Sequence, residues 1–225
     1  MIPWEQLASA PVPGGGELRL MRRGTEYSIM AHGGPSGAVE LMNSRLSGSE
    51  AALADLAVAK LDGRVAPRVL IGGLGMGFTL RAALAALPAD AQVVTAELVA
   101  AVAEWAREPM AHIFAGALAD PRSRVWVGDV RLAMAEGPWD AILLDVDNGP
   151  GGLSRAANDG LYSTVGLAEA WRALQPGGVL AVWSSVGDEG FTRRLRGAGF
   201  AVEAVPVRAR SGGKGARQVV WIAVR

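Results

Sequence analysis

The sequence predicts an α/β domain built on a mostly parallel sheet of seven strands that ends in an antiparallel C-terminal hairpin. Three observations support this fold class. Strand-like apolar runs alternate with helical patterns from residue 68 onward, a glycine-rich turn follows the first strand, and two apolar runs close the chain with no helix between them. Alternating strands and helices build a parallel sheet that is covered on both faces, and a closing hairpin makes one strand antiparallel.

The residues before this pattern predict a small accessory part. Residues 1–16 resemble a loose arm, because prolines and three consecutive glycines interrupt them. Residues 17–31 predict a short N-terminal β-hairpin, and residues 39–42 are apolar enough to add a strand. We therefore divide the chain into an N-terminal arm with its hairpin, residues 1–46, and a main domain, residues 47–225.

The main domain opens with a helix and then follows a regular order. Ser49 is placed to cap this first helix, and the leucines and alanines after it supply an apolar face. The next strands are predicted at residues 69–73, 93–97, 125–129, 141–145 and 179–185. Helical patterns lie between them at residues 77–87, 98–107, 130–136 and 160–174. Each strand thus returns to the sheet through a helix, as parallel pairing requires.

Composition and charge exclude several classes of protein. The chain has 225 residues, with 22 Lys and Arg against 22 Asp and Glu, whereas a nucleic-acid binder would carry a basic excess. Because there is no cysteine, disulfides, thiolate metal sites and cysteine nucleophiles are excluded. The N-terminus lacks the pattern of a signal peptide, and no uncharged apolar run reaches membrane-spanning length. We expect a cytoplasmic protein that binds neither nucleic acid nor membranes.

Glycines dominate the turn after the first strand of the main domain, at Gly72, Gly73, Gly75 and Gly77. Glycine permits positive φ angles and a close approach of ligand to backbone, and the following helix points its N-terminus at that ligand. A nicotinamide-binding fingerprint would need glycine or alanine where Phe78 stands. The spacing therefore favours a nucleoside ligand other than a nicotinamide dinucleotide. A tight turn without any ligand would use similar residues.

Acidic residues follow the next three strands. Glu97 ends the second strand, Gly128 and Asp129 end the third, and Asp145 ends the fourth. The carboxyl ends of parallel strands meet along one edge of the sheet, where open α/β sheets bind ligands. There Glu97 can accept hydrogen bonds from ribose hydroxyls and Asp129 can accept one from an adenine amino group. Glu97 could instead cap the next helix or lie in its first turn, and Gly128-Asp129 could be a plain turn before a helix.

In this order, these residues resemble the class I S-adenosylmethionine (SAM)-dependent methyltransferases, and more narrowly the spermidine synthase, or polyamine aminopropyltransferase, group. VLIGGLGMG at residues 69–77 is similar to the family's VLIIGGGDGG, and WDAILLDVDNGP at 139–150 is similar to FDVIIxDxxDP. SRLSGSEAALADLA at 44–57 lies where the family has Q-x-T-x-x-D-E, and LQPGGVLAV at 174–182 also agrees. The resemblance covers roughly residues 40–185 and implies a Rossmann-like class I methyltransferase fold.

The resemblance implies a transferase that alkylates a small amine, with SAM or decarboxylated SAM as co-substrate and without a metal. The residues that would hold the donor are Gly72, Gly73, Gly75, Gly77, Glu97, Gly128, Asp129 and Asp145. Asp145 would also orient and deprotonate the acceptor, because an ammonium must lose a proton before its nitrogen can attack a sulfonium donor. A homodimer is compatible with the family but is not implied.

Further candidates surround the fourth strand's end. Asp147 and Tyr162 are additional catalytic candidates, and the candidates to bind the acceptor are Asp147, Asn148, Asn158, Asp159 and Tyr162. Tyr162 could instead be an aromatic residue packed at the start of a helix. The glycine-rich segment 149–160 is a candidate lid. Three residues before the first strand are candidates to fold over the donor: Arg45, Ser47 and Glu50.

The sequence departs from the family pattern in three places. Gly75 stands where the family has an Asp that binds the aminopropyl ammonium of the donor. Asn148 stands where the family has its second acid, while Asp147 is an extra acid one residue earlier. The N-terminal part is also shorter than the family's β-domain. Three functions therefore stay open: alkylation of an amine in the manner of spermidine synthase, methyl transfer from SAM, and binding of a SAM-like nucleoside without catalysis.

Overall fold

The computed structural model describes residues 2–34, 37–146, 149–150, 160–210 and 214–225. Within them it shows two sheets, one of four strands and one of seven. No helix among these residues is both long and apolar enough to cross a membrane.

The N-terminal residues form a four-stranded antiparallel sheet, which is larger than the predicted hairpin. Its strands pair in chain order as β1 (Glu5–Pro11), β2 (Glu17–Arg23), β3 (Glu26–Gly34) and β4 (Gly37–Asn43). The predicted hairpin is the β2–β3 pair. The prediction of a loose arm over residues 1–16 is wrong, because β1 pairs with β2 along its length and buries Ala10 in the core.

The main sheet confirms the predicted topology. Its strands are β5 (Arg68–Gly72), β6 (Gln92–Glu97), β7 (Ser123–Val127), β8 (Trp139–Leu144), β9 (Leu174–Ser184), β10 (Ala201–Arg210) and β11 (Lys214–Val224). They lie in the order β10-β11-β9-β8-β5-β6-β7. The strands from β5 to β9 pair in parallel, whereas β11 is antiparallel to both β9 and β10. The last two strands are therefore the predicted C-terminal hairpin.

Seven helices connect these strands in the described part of the chain: α1 (Gly48–Val58), α2 (Phe78–Ala86), α3 (Ala100–Arg107), α4 (Ala111–Phe114), α5 (Val130–Met134), α6 (Thr164–Ala173) and α7 (Glu189–Gly197). Short 3-10 turns lie at Ala59–Leu61 and Ala117–Ala119. The prediction that Ser49 caps the first helix is wrong. Ser47 is the N-cap residue, and Ser49 lies inside the first turn, where its side chain is buried.

Buried side chains form one cluster on each face of the main sheet. The first cluster joins α1 to α4 with the N-terminal sheet and includes Leu20, Leu53 and Leu143. The second joins α5, α6 and α7 to the opposite face and includes Ile142. Because successive strand residues point to opposite faces, Asp145 follows Leu143 toward the face that carries α1 and α2.

The centre of the main sheet is a topological switch point. From β5 the sheet grows through β6 to β7 on one side and through β8 to β9 on the other. The carboxyl ends of β5 and β8 are held together there, because the Asp145 N–H donates to the Gly72 carbonyl at 2.9 Å. Ligands of open α/β sheets bind at such a point.

Candidate active site

The glycine turn after β5 brings its backbone into close contact with neighbouring elements. Gly73, Gly75 and Gly77 have φ angles of +93°, +49° and +75°, which glycine adopts without strain. A Cβ atom at Gly73 would lie 2.3 Å from the carbonyl oxygen of Asp145, and one at Gly77 would lie 2.3 Å from the ring of Phe114. Since α2 begins directly after this turn, its N-terminal amides lie at the switch point.

Gly75 faces the N-terminal sheet. A Cβ atom at this position would lie 2.5 Å from Cε and 2.6 Å from Sδ of Met42, a residue of β4. The thioether of Met42 thus fills the space into which a side chain at position 75 would project. Sequence reasoning missed this residue, because a single Met in a distant strand gives no sign of what it contacts.

Glu97 connects the glycine turn with the loop after β6. The side chain is buried; Oε2 accepts a hydrogen bond from the Leu74 N–H at 3.0 Å, and Oε1 accepts one from the Val99 N–H at 2.9 Å. The acid predicted at this strand end therefore fixes the turn that would carry the donor.

Gly128 and Asp129 lie at the adjoining end of β7. The Gly128 N–H donates to the carbonyl of Glu97 at 2.8 Å, which places these two strand ends side by side. Asp129 is exposed and caps α5, with Oδ1 accepting from the Arg131 N–H at 2.9 Å. The structure therefore shows that Asp129 caps a helix, a contact that sequence reasoning missed, and its role toward adenine stays a prediction.

A separate groove of about 680 Å³ begins at Asp129 and runs between α5 and α6. Its walls include Leu132, Arg172 and the ion pair of Arg131 with Glu169, whose N···O distance is 2.8 Å. Its described lining residues include neither the glycine turn nor Glu97 nor Asp145. It is therefore distinct from the crevice at the switch point.

Asp145 lies in surroundings that favour its protonated form. Protein atoms surround the carboxyl, although the residue keeps some contact with solvent. Burial, and after it the negative charge of Glu50, raise the pKa of Asp145 to about 7. The hydroxyl of Thr79, 2.6 Å from Oδ2, opposes that rise by donating a hydrogen bond. A carboxyl that titrates near neutral pH can accept a proton from an acceptor, as a general base must.

Glu50 is the second carboxyl of this crevice. It lies in the first turn of α1, and Ser49 Oγ donates to its Oε2 at 2.7 Å. Burial raises the pKa of Glu50, and the hydrogen bond from Ser49 partly offsets the rise. Thr79 Oγ1 also lies 3.5 Å from the carbonyl oxygen of Glu50. The structure thus brings Glu50 to Asp145, and it adds Thr79, which sequence reasoning missed.

Tyr162 lies beside the crevice with its ring in the core. The ring is 5% exposed and packs edge-to-face on Phe191, with 5.7 Å between centroids. Its hydroxyl donates to the carbonyl of Val146 at 3.4 Å, and so supports the residue that follows Asp145. The ring of Tyr162 is thus packed in the core, as the alternative interpretation of the sequence expected. A catalytic role for Tyr162 stays a prediction.

The remaining acceptor candidates lie outside the described residues. They are Asp147, Asn148, Asn158 and Asp159, together with most of the candidate lid. Their roles stay predictions. Among the residues that the structure describes, no group of three or more His, Cys, Asp or Glu side chains is placed to hold a metal ion.

Comparison with known proteins gives a partial sequence match. No family model matches the chain. Polyamine aminopropyltransferases of Mycobacterium tuberculosis and Mycobacterium bovis are 37% identical to it over 120 residues. This match spans 51% of the present chain but 22% of each relative, or about a fifth of its length.

The fold agrees with solved structures over a larger share of the chain. Spermidine synthase of Thermotoga maritima superposes with a TM-score of 0.73 at 16% identity, covering 97% of this chain and 72% of that one. A probable spermidine synthase of Corynebacterium glutamicum gives a TM-score of 0.62 at 18% identity, covering 93% and 77%. The O-methyltransferase TomG of Streptomyces achromogenes gives 0.54 at 20% identity, covering 78% of each chain. The chain is thus spermidine synthase-like in sequence over about half its length and in fold over nearly all of it.

Proposed function

We propose that this protein is a transferase resembling spermidine synthase, which alkylates a small amine with SAM or decarboxylated SAM as donor. The observation that supports this most directly is the carboxyl of Asp145, which lies at the switch point beside the glycine turn and has a pKa raised to about 7. The similar solved structures include a spermidine synthase in complex with the transition-state analogue AdoDATO and an O-methyltransferase in complex with SAM.

The described residues fit a donor that contains a nucleoside. The glycine turn offers backbone close to the crevice, and Glu97 and Asp129 offer carboxylates at neighbouring strand ends. Two large apolar side chains beside Glu97 are solvent-exposed: Leu98, the next residue, by 36% and Val127, its partner in the sheet, by 51%. Exposed apolar side chains close together commonly mark a binding surface, and a flat base would cover them.

Asp145 would supply the proton transfer. The ammonium of the acceptor gives one proton to ionised Asp145, and the freed nitrogen lone pair forms the new N–C bond. The C–S bond of the sulfonium breaks, and its electron pair goes to the sulfur, which becomes a neutral thioether. The product keeps one positive charge as an alkylated ammonium, and Asp145 releases its proton to solvent. The rest of the rate would come from holding nitrogen and carbon in line.

Methyl transfer from SAM is the second candidate function. The contact between Gly75 and Met42 favours it. The family's acid for the aminopropyl ammonium is replaced by glycine, and an apolar thioether fills the space beside it. A donor whose only terminal charge is an ammonium would find no carboxylate there.

One experiment distinguishes these candidates. The protein is incubated separately with SAM and with decarboxylated SAM, each with a panel of amines that includes putrescine, and products are identified by mass spectrometry. Methylthioadenosine from decarboxylated SAM supports aminopropyl transfer, and S-adenosylhomocysteine from SAM supports methyl transfer. Donor binding in calorimetry without either product would instead indicate a binding protein, and no binding of either donor would contradict all three functions.

A further inference from the structure

We propose that Glu50 and Asp145 form one carboxyl pair at the switch point, joined through the hydroxyl of Thr79. Glu50 is a positioning residue, because it acts through Asp145. Its part in catalysis rests on the proposed transferase function, whereas the pairing itself is a property of the folded protein and can be measured without turnover.

The pairing stands on contacts from three elements. Thr79, in the first turn of α2, contacts Oδ2 of Asp145 at 2.6 Å and lies 3.5 Å from the carbonyl oxygen of Glu50. Ser49 fixes the Glu50 carboxyl from the adjacent position in α1, at 2.7 Å. Ser49 and Thr79 are themselves 1% and 3% exposed, so both hydroxyls are held by the core. Thr79 thus holds the Asp145 carboxyl against the first turn of α1, and Ser49 orients the Glu50 carboxyl in that same turn.

The hydroxyl of Thr79 can serve both protonation states of Asp145. When Asp145 is ionised, Thr79 donates its only proton to Oδ2. When Asp145 is protonated, its own O–H can donate to Thr79, and Thr79 can then turn toward the Glu50 carbonyl. Proton uptake therefore needs only the rotation of one hydroxyl, and the crevice keeps its hydrogen bonds in either state.

Other charged groups near Asp145 are few among the residues that the structure describes. The neighbouring strands β5 and β9 end in Gly72 and Ser184, and α2 contributes Thr79. The phenol of Tyr162 is bonded to the Val146 carbonyl. Glu50 is thus the charged side chain that acts on Asp145 in this surrounding. Two carboxyls that interact so closely do not ionise independently, because the first negative charge makes the second harder to form.

The pair gives the proposed reaction a base that is matched to neutral pH. Burial and the charge of Glu50 raise the pKa of Asp145, and Asp145 takes the proton of the acceptor. A carboxyl without such a neighbour would hold a proton too weakly to take it from an ammonium at neutral pH. The two negative charges also attract the cationic acceptor before its proton is removed.

The test is a titration of side-chain carboxyl carbons by NMR in the full chain, labelled with ¹³C-aspartate and ¹³C-glutamate. Asp145→Asn assigns the Asp145 signal. We expect Glu50→Gln to lower the apparent pKa of Asp145 by about one pH unit. Asp55→Asn is the matched control, because it removes a carboxylate from the exposed side of the same helix and should leave the Asp145 signal unchanged. An unchanged Asp145 titration in Glu50→Gln would overturn the pairing.

A reciprocal measurement keeps the inference testable if Glu50→Gln does not fold. In the wild-type protein the Glu50 carbon should show a second inflection where Asp145 titrates, and Asp145→Asn should remove it. A Glu50 signal with one inflection in both proteins would also contradict the pairing. If the signals are coupled but neither donor yields product, the pairing stands and the transferase proposal is wrong. If product forms, the acidic limb of kcat/KM should move to lower pH in Glu50→Gln.

Discussion

At the scale of a single residue, the raised pKa of Asp145 predicts how the stability of the protein changes with pH. In the folded protein Asp145 keeps its proton up to about pH 7, whereas an ordinary Asp releases it near 3.8. Between these values the folded state binds more protons than the unfolded state, so the free energy of unfolding should fall as the pH rises. The slope from this one group is at most about 1.4 kcal/mol per pH unit.

Urea unfolding of the wild type and of Asp145→Asn measures this effect. A pH range of about 4.5 to 8 covers most of the window between the unfolded and folded pKa values of Asp145. We expect the variant to be the more stable protein above pH 7 and to lose most of the slope. Asp120→Asn is a suitable control, because Arg122 lowers the pKa of Asp120 to about 2 and its contribution is complete above about 3.8. Parallel curves for the wild type and Asp145→Asn would show that Asp145 is not held in its protonated form.

Replacing Glu97 tests stability and donor binding in the same variant. Glu97→Ala removes the acceptor of two backbone N–H groups, those of Leu74 and Val99. We expect a loss of about 2 kcal/mol in the free energy of unfolding, together with much weaker donor binding in calorimetry. Glu97→Gln keeps one side-chain oxygen, so it should recover part of the stability. Donor binding that is unaffected in a folded Glu97→Ala protein would contradict its predicted place in the site.

At the scale of elements, the glycine turn should tolerate no side chain at Gly77. An alanine there would take a φ of +75° and place its Cβ 2.3 Å from the Phe114 ring of α4. Gly24→Ala is the matched control, because Gly24 also has a positive φ of +61° but its Cβ would meet only Ile2 Cδ1 at 3.8 Å. In urea unfolding, backbone strain alone should lower the free energy of unfolding of the control by about 1 kcal/mol. The loss for Gly77→Ala should be larger, because its Cβ also clashes with Phe114. Equal losses would mean that α4 moves away without cost.

The elements also show which parts of the structure a sequence can predict. The parallel strands β5 to β8 were predicted to within two residues; β5 and β8 are buried on both faces and so need continuous apolar runs. β9 begins at Leu174, five residues earlier than predicted, since Pro176 and two glycines resemble a turn. β1 was missed because EQLASAP has no regular alternation. Apolar pattern thus located the parallel strands of the main sheet but not β1 or the irregular start of β9.

The same limit applies to the candidate site. The acids at the ends of β6, β7 and β8 were predictable, because chain order and parallel pairing bring strand ends to one edge. The contacts of Thr79 with Asp145 and of Met42 with Gly75 were not, because they join elements whose packing no local pattern specifies. The positions of residues at strand ends can therefore be predicted from sequence, whereas contacts between side chains of distant elements require the fold.

At the scale of the whole molecule, the predicted division at residue 46 can be tested through cooperativity. Leu20 and Ile29 of the N-terminal sheet belong to the same buried cluster as Leu53 of α1 and Leu80 of α2. Met42 of this sheet also contacts the glycine turn. Because the two parts share one core, separating them would expose apolar surface on both. We therefore expect one cooperative unfolding transition for the chain, although residues 1–46 form a sheet of their own.

Urea unfolding followed by far-UV circular dichroism and by tryptophan fluorescence should give coincident transitions. A chain truncated to residues 47–225 should bind the dye ANS and lose its near-UV signal, because α1 and α2 would then lack their covering sheet. A stable, folded truncated chain, or two separate transitions in the full chain, would show that the N-terminal sheet is an independent domain. In that case Met42 would belong to a part that can leave the glycine turn, and donor binding should persist without it.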